Sequence, residues 1–92
     1  MRLRRSDVTG PGWRRVRHGR GFSYRDAGGE VLADPGVRER LRSLAIPPAW
    51  REVWISPYVN GHIQAVGTDE AGRRQYLYHE GWHRQRDLVK HS

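Results

Sequence analysis

The string that carries the most chemical information is GRRQYLYH, Gly72 to His79. On a strand, Arg74, Tyr76 and Tyr78 share one face, and Arg73, Gln75 and Leu77 share the other. An arginine fork suits phosphate or a guanine edge, and a glutamine amide can bond an adenine edge. A tyrosine hydroxyl reaches phosphate while its ring packs on sugar or base. A two-stranded ribbon built from such a strand fits the major groove of duplex DNA. The plain alternative is that Tyr76 and Tyr78 are half-buried cross-strand packers with Leu77 turned outward, as in most hairpins.

His79 to His83 spell H-E-x-x-H, the spacing that in zinc proteases sets two imidazoles on one helical face around a glutamate base. That chemistry needs a helix, whereas His79 ends a strand pattern and Gly81 disfavours a helix interior. A metzincin would also need glycine and histidine where Arg86 and Val89 stand. A surface histidine pair or phosphate contacts is therefore the preferred reading, and zinc hydrolysis ranks third among the functions considered. No metal ligand, cofactor or catalytic residue is assigned. Gly19, Arg20 and Gly21 lack the spacing of a nucleotide loop. Asp69 and Glu70 fall in a hairpin tip, where turn chemistry accounts for them.

Charge supports a polyanionic partner. The 92 residues hold 17 Lys+Arg against 10 Asp+Glu, a net +7, and Lys90 is the only lysine. Arginine is the side chain whose planar fork matches phosphate. Residues 1 to 25 carry +7, residues 26 to 72 carry −3 and residues 73 to 92 carry +3. Two separated basic blocks can become one patch if the fold brings the ends together. With no cysteine there is no disulfide framework and no thiol chemistry, which fits a reducing compartment. No apolar run approaches membrane-spanning length and the basic amino terminus has no signal-like apolar region, so a cytoplasmic protein without a membrane partner is expected. Leu, Ile, Val and Phe are scarce at 18 of 92, but four Trp and four Tyr can supply a thin core.

Five strands and a helix must position these residues. Trp13 to His18 and Gly21 to Arg25 read as a hairpin, with Val16, Phe22 and Tyr24 as core contacts. Asp34 is an N-cap with Pro35 in the first helical position, and Val37, Leu41 and Leu44 form one apolar face. Arg38, Glu39, Arg40 and Arg42 lie off that stripe and read as solvated. The helix should stop near Ala45, ahead of Pro47 and Pro48. Glu52 to Ser56, His62 to Thr68 and Arg73 to His79 read as a three-stranded meander, followed by a short helical stretch from Trp82. The expectation is a small antiparallel α+β domain of about five strands with one or two short helices. A basic flexible arm is expected over residues 1–9, the domain over 10–87, and the start of a linker over 88–92.

IPPAWREVWI (Ile46 to Ile55), NGHIQAVGTD (Asn60 to Asp69) and GRRQYLYHEGW (Gly72 to Trp82), in this order, resemble the amino-terminal domain of bacterial, poxvirus-like type IB DNA topoisomerases. GFSYRDAGGEVL (Gly21 to Leu32) is similar to the family's first segment. The resemblance implies one half of a clamp around double-stranded DNA, with a carboxy-terminal domain of the same enzyme as partner. In that second domain a tyrosine forms a 3′-phosphotyrosyl link, without ATP or an obligatory metal, so this chain alone is expected to hold DNA and not cut it. Gln75, Tyr76 and Tyr78 match the family's Q-Y-x-Y motif, with the glutamine and second tyrosine facing bases and the first tyrosine nearer phosphate. Arg73 and Arg74 match its adjoining basic positions, and Arg86 resembles a cationic position beyond it. Bacterial members often have arginine where Thr68, Ala71 and His83 stand and proline where Glu80 stands, which implies a weaker phosphate grip. In a flat strand Gln75 faces away from both tyrosines, so the match calls for twist or a bulge near Gly72.

The function expected is thus a monomeric DNA-binding domain of a topoisomerase in the bacterial nucleoid. The competing reading is a protein-interaction domain whose basic surface adds only non-specific steering.

Overall fold

The computed structural model describes residues 2–82. Its elements are β1 (Trp13–His18), β2 (Gly21–Arg25), α1 (Pro35–Leu44), β3 (Arg51–Ile55), β4 (Ile63–Thr68) and β5 (Arg74–Tyr78), and the expected α+β class is the one observed. The strands form one antiparallel sheet in the order β2-β1-β3-β4-β5, so β2 and β5 are its two edges. A further helical turn begins at residue 80, where the described residues end.

Helix α1 starts and stops where its cap residues require. The Asp34 carboxylate accepts the Val37 N–H at 3.0 Å, and Pro35 follows in the first turn. At the other end Ala45 turns left-handed at φ 51° and donates its N–H to the Arg42 carbonyl, just before Pro47 and Pro48. The helix lays Val37, Leu41 and Leu44 on one face of the sheet, against Val53, Ile55 and Ala65, with Ile46 closing the layer. Trp13, Tyr24, Trp50 and Leu77 ring this core.

Two side-chain expectations are corrected. Val16 is 41% exposed, because the inward positions of β1 are Trp13 and Arg15 and strand alternation sends Val16 to the other face. Arg15 spends its guanidinium on the loop after α1, donating to the carbonyls of Ile46, Pro47 and Trp50 at 3.2, 2.9 and 2.9 Å, with the Phe22 ring stacked on it. Phe22 thus faces the Arg15 and Arg17 guanidinium groups beside the core, while Tyr24 joins the core as expected. Arg40 is not solvated either. Its Nη2 donates to Gln64 Oε1 at 2.7 Å, its guanidinium lies 5.3 Å from the Trp13 ring, and burial pulls it below the ordinary arginine pKa.

The reverse face of the sheet, opposite α1, is covered at one end by the amino-terminal segment. Trp54 donates its indole N–H to the Gly10 carbonyl at 3.2 Å, and Gly12 lies so close to the indole that a Cβ there would sit 2.2 Å from Nε1. Residues 2–9, expected as an arm, run past the start of β4. The Arg4 N–H donates to the Asn60 carbonyl at 2.7 Å, and the Ser6 hydroxyl donates to the Ile63 carbonyl at 2.8 Å. The Ser6 N–H donates to His62 Nδ1 at 2.9 Å, which fixes that nitrogen as an acceptor. Among the described residues, no helix is long and apolar enough to cross a membrane.

Candidate nucleic-acid interface

The β4–β5 hairpin is organised by Asp69. Its carboxylate accepts the backbone N–H groups of Ala71 and Arg73, both at 2.9 Å, while Gly72 supplies the left-handed backbone of the turn at φ 80°. Its other oxygen accepts the Gln75 amide at 2.9 Å and lies 3.4 Å from Arg73 Nε. The Arg73 N–H, followed by the Gln75 amide, holds the Asp69 carboxyl below the usual aspartate pKa.

From this turn β5 runs along β4, pairing Arg74 with Thr68, Gln75 with Gly67, Tyr76 with Val66 and Leu77 with Ala65 before the register shifts. Because Ala65 and Leu77 belong to the α1 side, alternation puts Arg74, Tyr76 and Tyr78 on the reverse face. There, Tyr76 and Tyr78 are 43% and 42% exposed. Their rings stack with centroids 6.3 Å apart, and Tyr78 stacks in turn on Trp82 at 6.3 Å, giving a three-ring ladder. Arg74 flanks the ladder, its Nη1 donating to Thr68 Oγ1 at 3.0 Å.

Gln75 lies on the opposite side of the strand from Tyr76, half-buried and bonded to Asp69. The bulge near Gly72 that would bring it round does not occur. The sheet's register shifts fall elsewhere, between Ile63 and Ala65 at the far end of β4 and between Arg51 and Trp54 in β3, where Glu52 adopts φ 51°. The structure therefore groups Arg74, Tyr76 and Tyr78 on one face and Arg73 with Gln75 around Asp69 on the other. Arg86 and His83 lie outside the described residues. His79 leaves the strand with its Nδ1 accepting the Gly81 N–H at 2.8 Å, as the chain turns into the helical residues 80–82. Sequence reasoning treated Trp82 as ordinary packing and missed its place in the ladder. The signal was its spacing of four residues from Tyr78, which is legible only once the strand is known to turn into a helix there.

Comparison with known proteins decides the family. Residues 21–69, more than half of the chain, match the family described as bacterial DNA topoisomerase IB, N-terminal domain. The chain belongs to that family. The topoisomerase IB N-terminal domain is also similar to a curated relative, the DNA topoisomerase 1B of Acanthamoeba polyphaga mimivirus, with 55% identity over 42 residues. That match covers 46% of this chain and 12% of the relative, so the chain spans only a small part of the viral enzyme's length. The family match runs from β2 to the Asp69 turn, and β5 follows directly.

Proposed function

We propose that this topoisomerase IB N-terminal domain binds double-stranded DNA, with the reverse face of β5 toward the duplex, as one half of a clamp whose other half is a catalytic domain of the same enzyme. The observation that carries the reading is the convergence of Arg74, Tyr76 and Tyr78 on one exposed face of an edge strand. An edge strand has no neighbour on its outer side, and a β-ribbon is narrow enough for a major groove about 12 Å wide. Arg74 and the Tyr76 hydroxyl meet phosphate, and Tyr78 packs on the sugar-base surface. Gln75 reaches a base edge around the open side of the strand, exchanging its bond to Asp69 for one to the base. Arg73 and Arg86 add phosphate contacts.

In this reading the domain itself makes and breaks no bonds. Relaxation of supercoiled DNA through a 3′-phosphotyrosyl intermediate is the activity of the whole enzyme, acting as a monomer on the bacterial nucleoid. Titration of a labelled duplex at several salt concentrations tests the binding. If about six phosphates are neutralised, affinity falls about 10³-fold between roughly 50 and 200 mM salt. Binding that ignores salt, or no binding to duplex, overturns the proposal. The competing protein-interaction reading predicts weak steering without a defined DNA surface.

A further inference from the structure

We propose that Arg14 and Arg25, at the opposite edge of the sheet from β5, form a second phosphate-binding site for the same duplex; this rests on the DNA-binding reading above. The strand registers place Arg25, Arg14, Trp54, Val66 and Tyr76 in a single row across all five strands. Residues paired directly across antiparallel strands share a face, so the two arginines lie on the same reverse face as Tyr76.

Two features mark this pair as a site. Like charges directly opposite each other on a sheet repel and destabilise the pairing, and an anion is what relieves them. Among the described residues neither guanidinium has a carboxylate within ion-pair distance, and the one side-chain hydrogen bond of the pair is from Arg25 Nη1 to the Gly29 carbonyl at 2.9 Å. The neighbouring Asp26 is turned into its own loop, where its carboxylate accepts the N–H groups of Gly28 and Glu30, both at 2.9 Å. Both arginines are exposed, and the core beneath the hairpin is built by Trp13 and Tyr24 on the other face. The neighbouring cleft beside the 26–28 turn is lined by Arg4 and Arg5 as well as by Asp7 and Asp26.

The spacing selects a duplex over a small anion. Four steps between adjacent strands, at about 4.8 Å each, separate Tyr76 from Arg25 by about 19 Å. A duplex carries one negative charge per about 1.7 Å of its axis, so it presents phosphates across the whole of that span, which no small anion reaches. With β5 seated at one groove, the arginine pair meets phosphates about 19 Å away on the same duplex. That geometry lays the DNA across the reverse side of the sheet, over residues 10–12, which cover Trp54 between the two sites. A sheet inserted edge-on would carry Arg14 and Arg25 away from it.

The test compares the 92-residue chain with the double variants Arg14→Gln/Arg25→Gln and Arg38→Gln/Arg42→Gln, titrated with labelled duplex between about 50 and 200 mM salt. The second variant removes the same charge from exposed positions on α1, on the other side of the sheet. Loss of two phosphate contacts flattens the logarithmic salt slope of the first variant by about 1.8, so its affinity falls about twelvefold less than that of the parent over this range. The α1 variant keeps the parent slope. If the parent binds and the first variant keeps its slope, the second site is wrong while the β5 reading stands. Equal flattening in both variants assigns the arginines to general steering and also overturns the site. A parent that fails to bind duplex removes the DNA reading and this inference together.

Discussion

Replacing Tyr76 by phenylalanine separates a binding role from a packing role at one atom. Among the described residues no protein group bonds the Tyr76 hydroxyl, and the residue is 43% exposed. Deleting that oxygen leaves no buried partner unsatisfied. The ring retains its stack on Tyr78, with centroids 6.3 Å apart, and its place across from Val66. Unfolding free energy should therefore stay within about 0.5 kcal/mol of the parent. If the hydroxyl donates to a phosphate, the lost charge-assisted hydrogen bond is worth about 1.5–3 kcal/mol. Duplex affinity then drops about 10- to 150-fold. Thermal melting followed by circular dichroism gives the first number, and fluorescence anisotropy with a labelled duplex at fixed salt gives the second. An unchanged affinity in a protein that melts normally would refute the assigned phosphate contact. A melting temperature lowered by several degrees would show that the hydroxyl serves the fold instead.

Three further outcomes follow from contacts that hold the fold. Gly67→Ala should lower stability by about 1–3 kcal/mol in chemical denaturation, because the new methyl would stand 2.7 Å from Trp50 Cε3, beside the strand position opposite Gln75. Arg15→Ala should cost about 2–4 kcal/mol by the same measurement, since three carbonyls of the 46–50 loop lose a cationic donor. Asp69 sets a pH dependence. Its folded pKa lies below the ordinary 3.8, so its charged form contributes stability above that value, and the contribution disappears as pH falls through the folded pKa. The melting-temperature gap between the parent and Asp69→Asn should therefore hold steady from about pH 8 to 5 and begin to shrink below about pH 4; a gap that widens as the pH falls would contradict this.

Much of the fold was legible because its punctuation is local. Asp34 and Pro35 start the helix, Pro47 and Pro48 prevent its continuation, and the Gly19–Arg20 and Asp69–Gly72 turns separate strands whose composition already favours extension. The class, the strand boundaries to within one residue, and the common face of Arg74, Tyr76 and Tyr78 all followed from that. What stayed hidden depends on contacts distant in sequence. Val16 looked like core because it is apolar, but the inward place on β1 goes to Arg15, whose three acceptors lie more than thirty residues away in the chain. Arg40 looked solvated because it is charged, yet Gln64 and the Trp13 ring give it a partly buried seat. The Arg25–Arg14–Trp54–Val66–Tyr76 row exists only once four registers are fixed, and the shift at Ile63 is not written in any local signal. Gly72 was the natural place to look for a bulge, but its left-handed backbone closes the hairpin turn and leaves Gln75 facing away from the tyrosines.

The central claim, that the reverse face of β5 meets DNA, is tested most directly by following backbone amide chemical shifts while a short duplex is added to isotopically labelled protein. The account predicts the largest changes at residues 74–78 and Trp82, with a second set at Arg14 and Arg25. Changes spread over residues 2–9 or gathered on α1, with the 74–78 amides unmoved, would contradict it.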